Sequence, residues 1–203
     1  MDLGPLIVFL VVFGSHAIPF IPFPGYAATV AYVTARDDAT SMILAVLATG
    51  FGAALGKLAV FLYGYGIGKI VMKEELTYAK KFFGKVSKWG VDIAVFIFAM
   101  SPLADDVLYI PLGAAGYDVR RFFVALLAGK LMLATAIVVL TDLAKSLLEE
   151  TVGDIMTSVI LAAGTLLITF FVLRIKWSRV LAAYEAGGMR EAFKAMLKSM
   201  LGK

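Results

Sequence analysis

Six ionisable side chains sit inside long apolar stretches of this sequence: His16, Lys57, Asp105, Asp106, Lys130 and, less deeply, Asp92. A charge in hydrocarbon costs at least a few kcal/mol unless it is paired or wet, so each needs a partner, a polar cavity or a ligand. Lys57 and Lys130 can attract an anionic group, although Lys57 could equally snorkel toward an interface. Asp105 and Asp106 can pair with those lysines or handle a substrate or proton, and the two roles are compatible. His16 is either a proton relay or a hydrogen-bonded core histidine. Acid pair catalysis does not fit, because adjacent residues point about 100° apart on a helix. The chain has no cysteine and a single histidine. It also lacks a Ser-His-acid set, an HExxH motif and a phosphate-cradling loop. No metal, no cofactor and no enzymatic activity are therefore expected.

The elements that must hold these residues are of membrane type. Apolar residues make up 61% of the 203, and 19 glycines lift that share to about 70%, against about 45–50% in a soluble domain. Mean hydropathy is +0.91. A one-domain chain cannot hide so much apolar surface from water, so a single all-α integral membrane domain over 1–203 is expected. The net charge of +4 then bears on topology, and nucleic acid is not an expected partner. The N-terminus lacks the basic region of a secretory signal.

Apolar stretches cover 5–34, 41–71, 91–117, 120–141 and 155–175. A span needs about 20 helical residues, which 41–71, 120–141 and 155–175 supply without proline. Segment 41–71 would reach roughly 46 Å, so it tilts, overshoots or breaks near Gly64, Gly66 and Gly68. The other two are cut midway, with turns expected at Pro22, Pro24 and Gly25 and at Ser101 and Pro102. Each proline removes a backbone donor where hydrocarbon offers no replacement. Segments 73–89 and 184–202 place apolar residues at helical spacing opposite lysines, as inner-leaflet amphipathic helices do.

Charge chooses the topology. Residues 69–88 hold six lysines against Glu74 and Glu75, and residues 174–203 hold seven basic residues against Glu185 and Glu191. Both segments belong in the cytoplasm. Five full spans would put them on opposite sides. If 5–34 and 91–117 are re-entrant hairpins, both segments and Arg120-Arg121 lie inside, while Asp2, the Arg36-Asp37-Asp38 loop and residues 142–154 lie outside. Two opposed hairpins and three full spans make an inverted repeat, as in many secondary transporters. Gly56-Lys57-Leu58 and Gly129-Lys130-Leu131 echo each other across the halves. A row of small residues, Ala48, Gly52 and Gly56, then Gly64 and Gly68 after the interruption at Val60, predicts close approach of a neighbouring helix.

A hairpin turning at Pro24-Gly25, a small-residue helix over 48–68 with an intramembrane polar residue, and a second hairpin ending in Ile110-Pro111-Leu112-Gly113-Ala114-Ala115-Gly116-Tyr117 together resemble the DedA/VTT (SNARE-associated Golgi protein) family. The likeness covers roughly residues 8–175. It implies a flippase or scramblase that moves a phospholipid or polyprenyl phosphate between leaflets, proton-coupled in some members. It also implies the cytoplasmic membrane of a prokaryote, with membrane lipids as partners and a homo-oligomer left open. The sequence departs from the family pattern at several positions. Tyr26 follows Gly25 where an acid is common, Ala99 and Asp105 stand at arginine-like positions, and Lys57 replaces an acid or amide. Two alternatives on the same scaffold are an ion-coupled exporter of small solutes and a non-transporting membrane-organising protein.

Overall fold

A computed structural model describes residues 2–19, 24–71, 87–101, 105–173, 190–191 and 193–198, and among these there is no strand. Seven helices follow one another: α1 (Gly4–Ala17), α2 (Tyr26–Thr34), α3 (Ala39–Val71), α4 (Lys88–Met100), α5 (Asp106–Ala114), α6 (Val119–Val152) and α7 (Asp154–Leu173). Residues 190–191 and 193–198 are also helical. The turn positions Pro22 and Pro102, most of 73–89 and the remainder of 184–202 lie outside the described residues.

Local chemistry sets the helix ends. Pro5 sits in the first turn of α1, where no backbone donor is needed. Ile18 and Ser101, each preceding a proline, are extended and close α1 and α4. The Asp38 carboxylate accepts the Ser41 N–H at 2.8 Å and the Ser87 hydroxyl accepts the Gly90 N–H at 3.1 Å, capping α3 and α4. Gly116 and Gly153, both at φ +77°, make the sharp turns into α6 and α7.

Two helices, over Ala39–Gly66 and Val119–Leu148, are long and apolar enough to cross a membrane. Less than a third of the second one's apolar window is buried inside the protein, unlike the core helix of a soluble protein. Ile43, Leu47, Leu62, Val124, Val139 and Leu140 all point outward. Helix α3 shows no break at its glycines and runs unbroken to Val71. Residues 142–152, within the 142–154 stretch expected to lie outside, continue α6 as helix. No proline or glycine interrupts them, and Leu143 and Leu147 keep helical spacing until Gly153 turns the chain.

The two long helices cross antiparallel, with Gly50 against Leu131 and Ala45 in one cluster with Val138. Each carries shorter helices. Helix α1 runs parallel to α3, Gly52 facing Phe9 and Gly56 facing Phe13 and His16. Helix α4 runs parallel to α6, Asp92 meeting Arg121 and Phe96 meeting Gly129. Helix α5 lies along α3, and α2 packs on α6 and α7. The chain doubles back between α1 and α2, because the Asp2 carboxylate accepts from Tyr32 Oη at 3.1 Å and from Arg36 at 3.3 Å. It does so again between α4 and α5, where Tyr117 Oη donates to the Lys88 carbonyl at 3.0 Å and to Asp92 at 2.6 Å. One apolar cluster joins Phe61, Tyr109, Leu112, Phe122 and Leu126, with Phe61 and Phe122 stacked at 4.0 Å. The other joins Val8, Val12, Tyr32, Val33, Ala53 and Val138.

Candidate functional site

Four charged residues from three places in the chain meet in the interior. Lys57 comes from the middle of α3 and Lys130 from α6, while Asp105 and Asp106 are the cap and first residue of α5. Lys57 Nζ lies 2.5 Å from Asp106 Oδ1 and 3.2 Å from Asp105 Oδ1. Lys130 Nζ lies 2.7 Å from Asp105 Oδ2. Asp105 thus bridges both lysines, one on each oxygen. All four are buried, none more than 8% exposed. Lys57 is therefore an interior partner and does not snorkel. Two positive and two negative groups make the cluster neutral, the condition under which buried charge is tolerated.

His16 joins through an intermediary. Its Nδ1 is 2.9 Å from the Val12 carbonyl, which can only accept, so the ring proton is assigned to Nδ1. Nε2 then accepts from Tyr26 Oη at 3.0 Å. Lys130 in turn interacts with the Tyr26 hydroxyl. Hydrogen bonds thus run from Tyr26 to His16 to Val12 on α1, with Tyr26 beside the cluster's Lys130. Tyr109, on α5 one turn beyond Asp105, brings a second phenol toward the same acids. Sequence reading noted Tyr26 only as standing where the resembled family often has an acid, and did not single out Tyr109. The signals were their spacing: Tyr26 directly follows Pro24-Gly25, and Tyr109 stands four residues after Asp105.

The described turn residues shape the approach rather than the charge. Pro24 and Gly25 accept the first hydrogen bonds of α2, from Ala27 and Ala28. Gly25 packs so closely on Ser15 that a Cβ would fall 2.0 Å from its Oγ. Ser101 Oγ donates to the Phe98 carbonyl at 3.0 Å, closing α4.

Further polar sets lie toward the helix ends. On one side Asp92 pairs with Arg121, whose guanidinium also stands 5.6 Å over the Trp89 ring. A cleft of about 330 Å³ opens there between Lys88, Gly116, Tyr117, Asp118 and Arg121, apart from the charged cluster. On the other side Lys145 meets Asp37 and donates to the Arg36 carbonyl at 3.2 Å, tying the end of α2 to α6. There the Gly4 N–H, then Tyr32 and Arg36, hold the Asp2 carboxyl below its ordinary range.

In the buried cluster both acids are occupied by lysines, so a group entering it would have to exchange with one of these pairs. No protein-family model, curated protein or solved structure matches this chain.

Proposed function

We propose that this chain is an integral membrane protein of the DedA/VTT type that moves a lipid or lipid phosphate between leaflets. The observation that carries the reading is the neutral cluster of Lys57, Lys130, Asp105 and Asp106, buried where the short helices end against the two long ones. An intramembrane ionisable group is a functional candidate by default, and a cluster of four gives an anionic head group two cations to meet.

The architecture proposed with it is an inverted repeat of two opposed re-entrant hairpins, α1–α2 and α4–α5, with α3, α6 and α7 as full spans. Several observations support the repeat. The helices correspond in length, 14 and 13 residues for α1 and α4, 9 and 9 for α2 and α5, and 33 and 34 for α3 and α6. Gly56 packs against Phe13 and His16, and Gly129 against Phe96 and Ala99, at the same three-residue spacing. Each glycine is followed by a cluster lysine. A 9-residue helix reaches only about 14 Å, half a hydrocarbon core, so neither hairpin arm crosses alone. Asp105, Asp106 and His16 tune the charge or carry protons. The location proposed is the cytoplasmic membrane of a prokaryote, with the C-terminus inside.

Purified protein in liposomes with fluorescent lipid tests the reading. Asp105→Asn and Asp106→Asn are expected to slow leaflet exchange while the yield of folded protein stays intact. Unchanged exchange in both would reject a role for the acids. Solute uptake driven by an ion gradient, without lipid exchange, would point to an exporter.

A further inference from the structure

Tyr109 is fully buried, and its hydroxyl makes no hydrogen bond of ordinary geometry, only a loose contact with the Asp105 carboxylate. Its backbone N–H bonds the Asp105 carbonyl at 3.0 Å, and its ring stands edge-on to Phe122 at 5.1 Å. Four residues after Asp105, it stands one helical turn along α5 from that carboxylate, on the same face. A buried hydroxyl so loosely held recovers little of its desolvation cost, which phenylalanine, filling the same space, would avoid. A loosely held donor beside a carboxylate has a fuller use in another arrangement of the same groups.

Both oxygens of Asp105 are engaged, one by Lys57 and one by Lys130. An anion that draws either lysine away leaves the carboxylate short of donors in a low-dielectric interior. Tyr26 cannot fill the gap, because its proton is committed to His16 Nε2. Tyr109 can. We propose that Tyr109 is a positioning residue that receives the Asp105 carboxylate when an arriving anionic head group takes a lysine. The hydroxyl donates a hydrogen bond and no proton changes owner. The proposal rests on the lipid-moving reading and adds to it the group that makes the lysines releasable.

Tyr109→Phe keeps the ring and removes only the loosely held hydroxyl. In detergent its melting temperature is expected to equal or exceed that of the unaltered protein. In liposomes its lipid exchange is expected to fall roughly tenfold to a hundredfold, the weight of one hydrogen bond to a charged group. In an Asp105→Asn background the same substitution should change exchange less than about twofold, because no carboxylate remains to be received. Exchange by Tyr109→Phe at the unaltered rate overturns the proposal, as does an equal loss with and without Asp105, or a lowered melting temperature. Absence of exchange by the unaltered protein instead overturns the lipid reading on which it rests.

Discussion

Lys130 is where the two halves of the molecule converge, since its ammonium serves Asp105 at the start of α5 and Tyr26 at the start of α2. Lys130→Met leaves Asp105 with Lys57 alone, at 3.2 Å, and gives Lys57 two carboxylates to neutralise. Removing one member of a buried pair costs about 3–5 kcal/mol, so a loss near the lower figure is expected. Adding Asp105→Asn should recover much of it, because the remaining Lys57 and Asp106 balance. Denaturant unfolding in detergent measures both, and a double variant no more stable than Lys130→Met would show that the loss is not electrostatic. The charged members were legible in the sequence because every ion in an apolar stretch demands a reason. Pairing of the acids with the two lysines was legible too, but not which acid meets which lysine, since Lys57 and Asp106 are 49 residues apart and local spacing carries no register between elements. Tyr109 passed unnoticed, and Tyr26 was noted only as a departure from the family pattern, because a tyrosine in an apolar stretch is ordinary until its hydroxyl can be followed.

The small-residue row on α3 shows how much of an element can be read in advance. Spacing alone predicted a close neighbour, and Gly52 and Gly56 do meet the backbone of α1 at Phe9 and Phe13. What spacing could not say is that the row has two clients. The interruption at Val60 falls where the partner changes, and Gly64 faces the Ile110 carbonyl of α5. Replacing a helical glycine by alanine ordinarily gains about 0.5–1 kcal/mol, so the sign of each substitution reports the contact. A Cβ at Gly56 would stand 2.7 Å from the Phe13 carbonyl, and at Gly129 2.7 Å from that of Phe96, and backbone cannot swing aside. At Gly66 it would meet nothing within 4 Å. Gly66→Ala is expected to hold or raise the melting temperature, and Gly56→Ala and Gly129→Ala to lower it. A rise at all three would mean that α1 and α4 do not press on the long helices as described. Residues 142–152 teach the converse. Their charges predicted a place outside, but charge marks the water boundary and not the helix end, which waited for Gly153.

At the scale of the whole molecule, the proposed topology depends on how many times the chain crosses between Lys88 and Lys198. With α4 and α5 folded back on each other, the chain crosses twice, at α6 and α7, and the two lysines share a compartment. Were 91–117 a full span, it would cross three times and separate them. Tyr117, after α5, returns to Lys88 and Asp92 at the start of α4. A return of that kind brings both ends of the segment to one surface. The chain contains no cysteine, so a single introduced thiol is the only one a reagent can find. Lys88, Lys198 and Thr40 are exposed. Thr40 belongs at the opposite end of α3 from the lysine-rich segment. A membrane-impermeant maleimide added to intact cells should therefore label Thr40→Cys and spare Lys88→Cys and Lys198→Cys, and all three should react after the membrane is opened. Labelling that separates position 88 from position 198 would require an odd number of crossings between them. The second hairpin, and with it the inverted repeat, would then be lost.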